Sequence, residues 1–260
     1  MPSIDISLTL HLVEGLSCLY YNFLGGEMKY SIDSWVFEKL PNVHFGIIVA
    51  KGIQNTETSE ADSSILSKSE ANLRASVDSD QIKLHPDIAR YRDALQSVGI
   101  NPNKFMNSVE AMSKRVVKGS DLPRINALVD LCNAIALDEM VSLGAHDLAD
   151  IDEDLMVRMS KDGDCFLPFA SDTFETVPAG ELVFVSGEKV QTRQWLWRQS
   201  ELGKITETSK NIFFQLVGFD DGHLENLKNA MRAVEQLLDQ RFGGEYTTYI
   251  LNASQREIEF

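Results

Sequence analysis

Residues 122–136 are Leu-Pro-Arg-Ile-Asn-Ala-Leu-Val-Asp-Leu-Cys-Asn-Ala-Ile-Ala, the stretch with the clearest periodic pattern in the chain. Apolar residues recur in it at intervals of three and four, which predicts a helix with one buried stripe. The stripe consists of Ile125, Leu128, Val129, Cys132, Ile135 and Ala136. Asn126, Asp130 and Asn133 lie on an adjacent stripe with the same spacing. Asp130 and Asn133 either bind a substrate or cap a neighbouring loop.

The chain before this helix combines one strand with several helices. Residues 43–53 are rich in β-branched side chains and predict a strand. Residues 56–80 are polar and form either an exposed helix with loops or a mobile excursion. Pro86 opens a helix that ends at Gly99. Ser108 is predicted to cap a short helix over residues 109–117.

The chain after the helix is dominated by strands. They are predicted over residues 155–159, 182–186, 190–197 and 211–218. A last helix over 222–242 ends at Gly243-Gly244, and residues 246–251 predict an edge strand. Because helices come early and strands fill the middle, we expect an α+β fold rather than alternating βαβ units. One domain over 28–251 and a polar tail over 252–260 are predicted.

The composition is that of a cytoplasmic protein. Of the 260 residues, 43% are hydrophobic and 24% charged, and a core of this size needs neither a disulfide nor a metal. Cys18, Cys132 and Cys165 are odd in number and widely spaced, which indicates reduced thiols. No stretch approaches the roughly 18 apolar residues of a membrane helix. We therefore expect a cytoplasmic localisation and no membrane partner.

The chain is acidic, with 24 basic and 39 acidic residues and a formal net charge of −15. Because counterion release from nucleic acid needs a basic surface, this charge weighs against DNA as a partner and against non-specific binding. The segments 114–124 and 189–210 are locally basic. They either bind tRNA as a local patch or are two solvated faces.

Sequence motifs for cofactors and metals are absent. The chain has no GxxxxGK[ST], GxGxxG, HExxH or GxSxG motif, and its five histidines are scattered. We therefore expect no cofactor and no metal site.

The first 27 residues have a character of their own. They contain no lysine or arginine, so a signal or transit peptide is not indicated. The string Leu24-Gly25-Gly26-Glu27-Met28 matches the in-frame translation of a ribosome-binding site before a start codon. We expect residues 1–27 to be a non-native or disordered leader and Met28 to be the natural start.

Three segments together resemble one protein family. Residues 122–133 resemble the Ile-Asn-x-Val-Val-Asp-x-Thr-Asn helix of the phenylalanyl-tRNA synthetase beta subunit. Residues 144–148, Gly-Ala-His-Asp-Leu, resemble its Met-His-Ala-Phe-Asp-Leu turn at an ungapped spacing. Residues 195–199, Trp-Leu-Trp-Arg-Gln, and the stretch 206–219 resemble the segment around its amino-acid pocket. The similarity covers residues 84–242 and is to the B3/B4 domain, the editing and tRNA-binding domain of that subunit.

The resemblance implies a fold and an activity. The implied fold is a three-layer α+β arrangement with β-sandwich-like mixed sheets and flanking helices. The implied activity is hydrolysis of the ester in mischarged aminoacyl-tRNA, with the tRNA acceptor end as the partner. The chain is too short for the other synthetase domains and lacks ATP-site motifs, so synthetase activity is excluded.

Several positions depart from the family's pattern. The family's editing histidine falls at Gly144, and His146 lies two residues further on. The family's pocket glutamate falls at Gln215, whose amide can orient a water or bind a carbonyl but cannot act as a base. Small pocket residues fall at Trp195 and Leu196, which predicts a substrate smaller or more polar than tyrosine.

We expect Gln215, His146 and Arg198 to be the catalytic residues. Arg198 supplies a donor to the oxyanion, holds a carboxylate or phosphate, or forms a surface salt bridge. His146 either forms an acid–base pair with Asp147 or fixes a loop. The predicted substrate-binding residues are Asn126, Asp130, Cys132, Asn133, Gly144, Trp195, Trp197 and Gln199. The two tryptophans share one face of the predicted strand 190–197, where they stack on a base or pack against a helix.

Three hypotheses for the function follow. The first is a trans-acting deacylase that positions a water against the ester, aided by the substrate's ribose hydroxyl. The second is a noncatalytic module that binds tRNA or an amino-acid-like ligand. The third is a different hydrolase that uses Cys132 or His146 as its reactive group; the alternative role of Cys132 is core packing.

Overall fold

The computed structural model describes residues 27–222 and 224–260, and these form helices and two sheets. The helices are α1 Ser34–Lys39, α2 Glu60–Ser76, α3 Pro86–Ser97, α4 Ser108–Val117, α5 Ala127–Glu139 and α6 Leu224–Leu237. The strands are β1 Lys29–Ile32, β2 Val43–Lys51, β3 Ser142–Asp147, β4 Leu155–Met159, β5 Cys165–Phe166, β6 Glu175–Thr176, β7 Leu182–Ser186, β8 Lys189–Arg193, β9 Arg198–Gln199, β10 Ile212–Phe219, β11 Glu245–Leu251 and β12 Glu257–Glu259. The prediction for residues 1–27 lies outside the described residues, except for Glu27.

The central sheet has four antiparallel strands in the order β11-β2-β10-β3. All eight residues of β10 are buried, so this strand is covered on both faces. Side chains alternate along a strand, and here Phe213 and Val217 pack on one face while Phe214 and Leu216 pack on the other. The strand β3 forms one edge of this sheet, and a cleft lies along that edge.

The outer sheet follows the order β12-β1-β4-β7-β8-β5-β6, with β9 paired to β8. It is mixed, because β1 pairs parallel to β4 and β5 parallel to β8, whereas the other pairs are antiparallel. The two sheets pack face to face: the ring of Phe184 stacks 5.9 Å from that of Phe213, and Tyr30 lies 5.1 Å from Phe213. On the far face of the central sheet lie α5 and α6. The predicted α+β fold with three layers is therefore confirmed.

The helix α5 begins later than the apolar pattern of residues 122–136 predicted. Asn126 is the N-cap of α5, and its side-chain oxygen accepts a hydrogen bond from the Val129 N–H. Ile125 therefore precedes the helix and is 55% exposed, so its place on the buried stripe was wrong. Leu128 and Cys132 are buried as predicted.

The N-caps of α2 and α4 decide two predictions made for the chain before α5. The polar stretch 56–80 contains the helix α2, which begins with a reciprocal capping box between Ser59 and Asp62. The alternative of an exposed helix is therefore the correct one for most of this stretch. The cap of α4 is Asn107, not Ser108, because the Asn107 side chain accepts from the Glu110 N–H.

The region of the two tryptophans differs most from expectation. The strand predicted over 190–197 ends at Arg193, and the chain turns back into β9. Gln194 and Trp195 adopt left-handed φ angles of 48° and 61°, which a strand does not contain. The two indoles are thus presented by a turn and not by one strand face. Near the end of the chain, β12 pairs with β1 within the predicted polar tail.

Candidate functional site

A cleft of about 490 Å³ runs along the open edge of β3. One wall is α5, another is β3, and the loops 167–170 and 199–205 close the third side. The cleft is lined by Ile125, Val129, Cys132, Asn133, Leu143, Gly144, Ala145, Phe169, Ala170, Gln199, Glu201, Lys204 and Ile205. Its walls are mainly apolar, with a few polar groups, which is the usual character of a small-molecule site.

A smaller cavity of about 100 Å³ lies deeper, between the central sheet and the β8–β9 turn. We call it the inner cavity; it is lined by Ser108, Ser142, Leu143, Gly144, His146, Thr192, Trp195, Leu196, Trp197, Gln199 and Gln215. Leu143, Gly144 and Gln199 line both spaces. A Cβ atom on Gly144 would lie 3.5 Å from His146 Nε2, so the missing side chain leaves room beside the imidazole.

His146 is buried in this wall and is held in one protonation state. The Gln199 amide nitrogen donates to the Ala145 carbonyl at 2.9 Å and lies 3.4 Å from His146 Nδ1. Burial lowers the pKa of His146 to about 3, so the imidazole is neutral at physiological pH. Because an amide nitrogen only donates, Nδ1 is the acceptor and the ring proton lies on Nε2. His146 is therefore a hydrogen-bond donor and a very weak base.

The structure does not pair His146 with its neighbour. Asp147 is the next residue on β3, so its side chain leaves the opposite face of the strand. Its carboxylate accepts from the Ala149 N–H at 3.0 Å and begins a short 3₁₀ turn. Of the two roles that we predicted for this pair, the contacts of Asp147 fit loop fixing.

Two further donors belong to residues that line the inner cavity. The side chain of Gln215 is buried, and its oxygen accepts from the Tyr30 hydroxyl at 2.8 Å. This leaves the Gln215 amide nitrogen without a hydrogen bond to any residue in the described part of the chain. The Trp195 indole is fully buried, and its Nε1–H also has no partner among residues 27–222 and 224–260. Buried donors of this kind are rare, and each calls for an explanation.

Three of the predicted residues have structural contacts or lie away from the cleft. Asn126 is 2% exposed, accepts from Asn55 and donates to the Ile205 carbonyl. Asp130 is fully buried and accepts from the Ile125 N–H at 2.9 Å and from the Thr58 hydroxyl at 2.6 Å. Both side chains fix the loops around α5 and line neither space.

Arg198 leaves β9 next to Gln199, on the opposite face of the strand. Its guanidinium lies 5.7 Å from the centre of the Phe166 ring. No carboxylate pairs with it within the ranges that the structure describes. Arg198 therefore lies outside the walls of both cleft and cavity, which separates it from Gln215 and His146.

The remaining predicted residues line the site. Cys132 is buried, and burial raises the pKa of its thiol to about 12. Asn133 is half-buried in the cleft wall, with no hydrogen bond from its side chain to another described residue. Trp197 packs edge-on against Phe105 with ring centres 4.8 Å apart. The structure thus brings together residues from α5, β3, β10 and the β8–β9 turn.

Several lining residues were not predicted from the sequence. Phe169 stands at the rim and is 46% exposed, and Glu201 and Lys204 form an ion pair beside it. Ser108 and Ser142 contact each other through their hydroxyls at 3.0 Å within the inner cavity. None of these residues has a signal in the sequence, because Phe169 lies within the apolar run 165–170 and single exposed apolar residues are common on protein surfaces.

Other features of the described chain lie apart from this site. A hollow of about 870 Å³ beside β1 and β4 contains none of the predicted residues. No group of three or more metal-binding side chains occurs among the described residues. Nor is any helix in that part of the chain long and apolar enough to cross a membrane.

Comparison with known proteins gives two matches and one negative result. The model of the B3/4 domain family matches residues 90–242. A solved structure, the N-terminal fragment of the phenylalanyl-tRNA synthetase beta subunit from Pyrococcus horikoshii, aligns with 88% of this chain at 13% identity and a TM-score of 0.43. The chain spans 53% of the length of that fragment. Among curated proteins, no sequence matches significantly.

Proposed function

The chain belongs to the B3/4 domain family, and from that premise we propose that it is a trans-acting deacylase that hydrolyses the ester of mischarged aminoacyl-tRNA. The matched range lies within residues 84–242 and confirms the family resemblance of the sequence. The observation that carries the proposal is a cleft at the edge of β3 that shares Leu143, Gly144 and Gln199 with a second, polar cavity. Such a pair of spaces suits a ligand whose larger part lies in the cleft and whose smaller part lies in the inner cavity.

The edge of β3 supports ester chemistry because it offers backbone donors to the cleft. The Ala145 carbonyl points away from β10, since it accepts from Gln199 on that side. In an antiparallel strand, the N–H and C=O of one residue point to the same side. The Ala145 N–H therefore also faces the cleft, where it can stabilise the oxyanion that forms when a water attacks an ester.

In the proposed reaction the substrate handles the proton, because the side chains that line the site are poor bases. Glu201, the one carboxylate among the described lining residues, is ion-paired with Lys204, and the hydrogen bond with Lys204 lowers its pKa. His146 has a pKa of about 3, the Cys132 thiol a pKa of about 12, and Gln215 is a neutral amide. None of these groups takes a proton from water efficiently near neutral pH. In the proposed reaction the water oxygen bonds to the ester carbonyl carbon, and the bond from that carbon to the ribose oxygen breaks. The vicinal ribose hydroxyl passes the water's proton to the leaving ribose oxygen, which gives free amino acid and uncharged tRNA.

The charges around the site support only a limited contact with RNA. In the two basic segments, Arg124, Lys189 and Arg193 pair with carboxylates. Lys104 lies over Phe105, the ring that contacts Trp197 at the inner cavity. We expect Lys104 and the unpaired Arg198 to contact phosphates near the acceptor end. With so few contacts, tRNA affinity should depend only moderately on salt.

A second candidate function is a noncatalytic binding module. The specific observation in its favour is that the described residues lining the site offer no free base: His146 is a very weak one, and the carboxylate of Glu201 is paired with Lys204. Under this reading the cleft and the inner cavity hold an amino-acid-like group, and the ester survives. The two functions predict the same binding and differ only in turnover.

The test is a deacylation panel with purified protein and several tRNAs, each charged with correct and incorrect amino acids. We expect selective loss of one mischarged ester, weakened by Gln215→Leu, while Lys161→Ala, a change at an exposed lysine that lines neither space, has no effect. Stability of every ester in the presence of folded protein that binds tRNA would establish the binding module instead.

A further inference from the structure

The strand β11 leaves one edge of the central sheet open. Within the described chain it pairs with β2 alone, and no residue outside β2 hydrogen-bonds to its backbone. In an antiparallel strand, every second residue points its N–H and C=O away from the paired neighbour. The seven residues Glu245–Leu251 therefore present a row of outward-facing donors and acceptors. Such a row is a template on which another strand can pair.

The other sheet edges in the described chain are short, charged or covered. The strands β6 and β9 have two residues each and β12 has three, and every one of them carries a charged side chain. The outer edge of β3 is contacted by the Gln199 side chain and the Gly203 carbonyl. Natural proteins use these devices to prevent unwanted strand pairing. The strand β11 has none of them, because it is seven residues long and its only charge is that of Glu245 at its start.

The residues of β11 are complementary to a second copy of the same strand. When two copies pair antiparallel about a two-fold axis through the middle residue, Thr248, all seven residues of each copy are paired. Tyr246 then lies opposite Ile250 of the second copy, and Thr247 lies opposite Tyr249. Pairs of an aromatic and a β-branched side chain stabilise antiparallel strands. The pairing therefore favours the symmetric arrangement.

A basic side chain of α6 lies beside one end of β11. The Met231 side chain lies against Gly46, where a Cβ atom would be 2.5 Å from its sulfur, and Gly46 pairs with Ile250. Lys228, almost one turn earlier on α6, lines the groove between α6 and β11. No carboxylate forms an ion pair with Lys228 in the part of the chain that the structure describes. The groove is therefore basic at its Ile250 end.

Acidic side chains lie beside the other end of β11. The Asp239 carboxylate accepts from the Tyr246 hydroxyl at 3.2 Å, and Glu235, about one turn earlier, lines the groove. Glu235 likewise has no ion pair with another described residue. A two-fold axis through Thr248 reverses one copy against the other, so Lys228 of each copy comes to the same end as Glu235 of its counterpart. This charge complementarity favours a second copy of the chain over an unrelated strand.

We propose that the protein forms a homodimer in which the β11 strands of two copies pair antiparallel about Thr248. The two central sheets then join into one continuous sheet, with four strands from each copy and a β3 strand at each end. The two clefts lie along these outer β3 strands, so the pairing leaves both of them open. The inference goes beyond the proposed function and does not depend on it.

The experiment measures the mass of the full chain in solution by light scattering over a dilution series. We expect the unmodified protein to have the mass of two chains and to dissociate on dilution. Thr248→Lys and Thr248→Glu each place two like charges opposite each other on the axis. We expect each to raise the dissociation constant at least about tenfold. The matched control is Thr176→Lys, a change at an exposed threonine on β6, which should leave the dissociation constant unchanged.

A mixture of the two charged variants tests the symmetry directly. An equimolar mixture of Thr248→Lys and Thr248→Glu should recover dimers, because each lysine then lies opposite a glutamate. This recovery also shows that both variants are folded, as circular dichroism would record independently. The inference is overturned if the unmodified protein has the mass of one chain at every concentration, if folded Thr248→Lys dimerises as tightly as the unmodified protein, or if the mixture stays monomeric.

Discussion

The substitution Asn126→Ala separates a structural role from a ligand-binding role at a residue that the sequence alone assigns to the substrate. The Asn126 side chain is 2% exposed and makes three hydrogen bonds: from the Val129 N–H, from the Asn55 amide and to the Ile205 carbonyl. Loss of an N-cap costs about 1 kcal/mol. Each of the other two bonds contributes about 1 kcal/mol.

The expected loss in the free energy of unfolding is therefore about 3 kcal/mol. For a domain of this size it corresponds to a fall in Tm of roughly 6–12 °C. Urea unfolding followed by tryptophan fluorescence and circular dichroism measures the loss as a lower midpoint with an unchanged slope. Ligand affinity per folded molecule should stay within about twofold of the unmodified protein.

The matched control is Asn133→Ala, seven residues further along the same helix region. Asn133 is half-buried in the cleft wall and its side chain has no hydrogen bond to another described residue. We expect a stability change below about 0.5 kcal/mol, as for other substitutions without such contacts, together with weaker ligand binding. The reasoning is refuted if Asn126→Ala leaves stability unchanged and abolishes binding, because Asn126 would then act on the ligand directly.

Three other predictions concern protonation, reactivity and space at the site. For His146 the folded-state pKa of about 3 lies below the unfolded value of 6.5, so the stability that it contributes is complete above pH 6.5 and is lost as the pH falls toward 3. Between pH 8 and pH 5 we expect the free energy of unfolding to fall by about 2 kcal/mol, a loss that is absent in His146→Gln. Equal losses in the two proteins, measured by urea unfolding at both pH values, would contradict this. Cys132, whose thiol has a pKa of about 12, should resist alkylation by iodoacetamide at pH 8 in the native protein and react in urea. Mass spectrometry of the peptides measures the labelling. Rapid labelling of the native protein would instead support Cys132 as a nucleophile. Gly144→Ala should leave the Tm within about 2 °C, because the added Cβ finds its nearest neighbour at 3.5 Å. It should nevertheless weaken ligand binding by filling space at the wall that cleft and inner cavity share; an unchanged affinity would show that the ligand does not contact this point.

Helices and strands with one or both faces buried were predictable from the sequence. Turns and site contacts whose geometry depends on distant parts of the chain were not. The helix α5 was predictable because its apolar residues repeat with the helical period, and the strand β10 because it is a short, nearly continuous apolar run rich in aromatic side chains. The β8–β9 turn was not, because the left-handed φ of Trp195 occurs at a bulky residue that gives no turn signal. Asn126 illustrates a different limit, since caps and ligand-binding residues use the same polar side chains.

The position of the cleft was predictable only in part. The family resemblance assigned residues from four elements to one site, and the structure brings Cys132, Asn133, Gly144, Gln199 and Gln215 to the adjoining walls of cleft and inner cavity. The rim residues Phe169 and Glu201 are 32 positions apart, and only the folded chain joins them through the hydrogen bond from the Ala170 N–H to the Glu201 carboxylate. Arg198 shows the reverse case, because its place beside Gln199 in the sequence puts it on the other face of β9.

The departures from the family's pattern at Gly144, Trp195, Leu196 and Gln215 all line the inner cavity. If the site had simply decayed, nothing would keep polar groups in a buried space, because unpartnered donors there cost roughly 1–3 kcal/mol each. The Trp195 N–H and the Gln215 amide are nevertheless both buried there. The absence of a side chain at Gly144 also leaves space beside the imidazole of His146. These features together argue that the departures from the family's pattern leave a polar, uncharged space at one place in the fold, which a site that had only lost residues would not need.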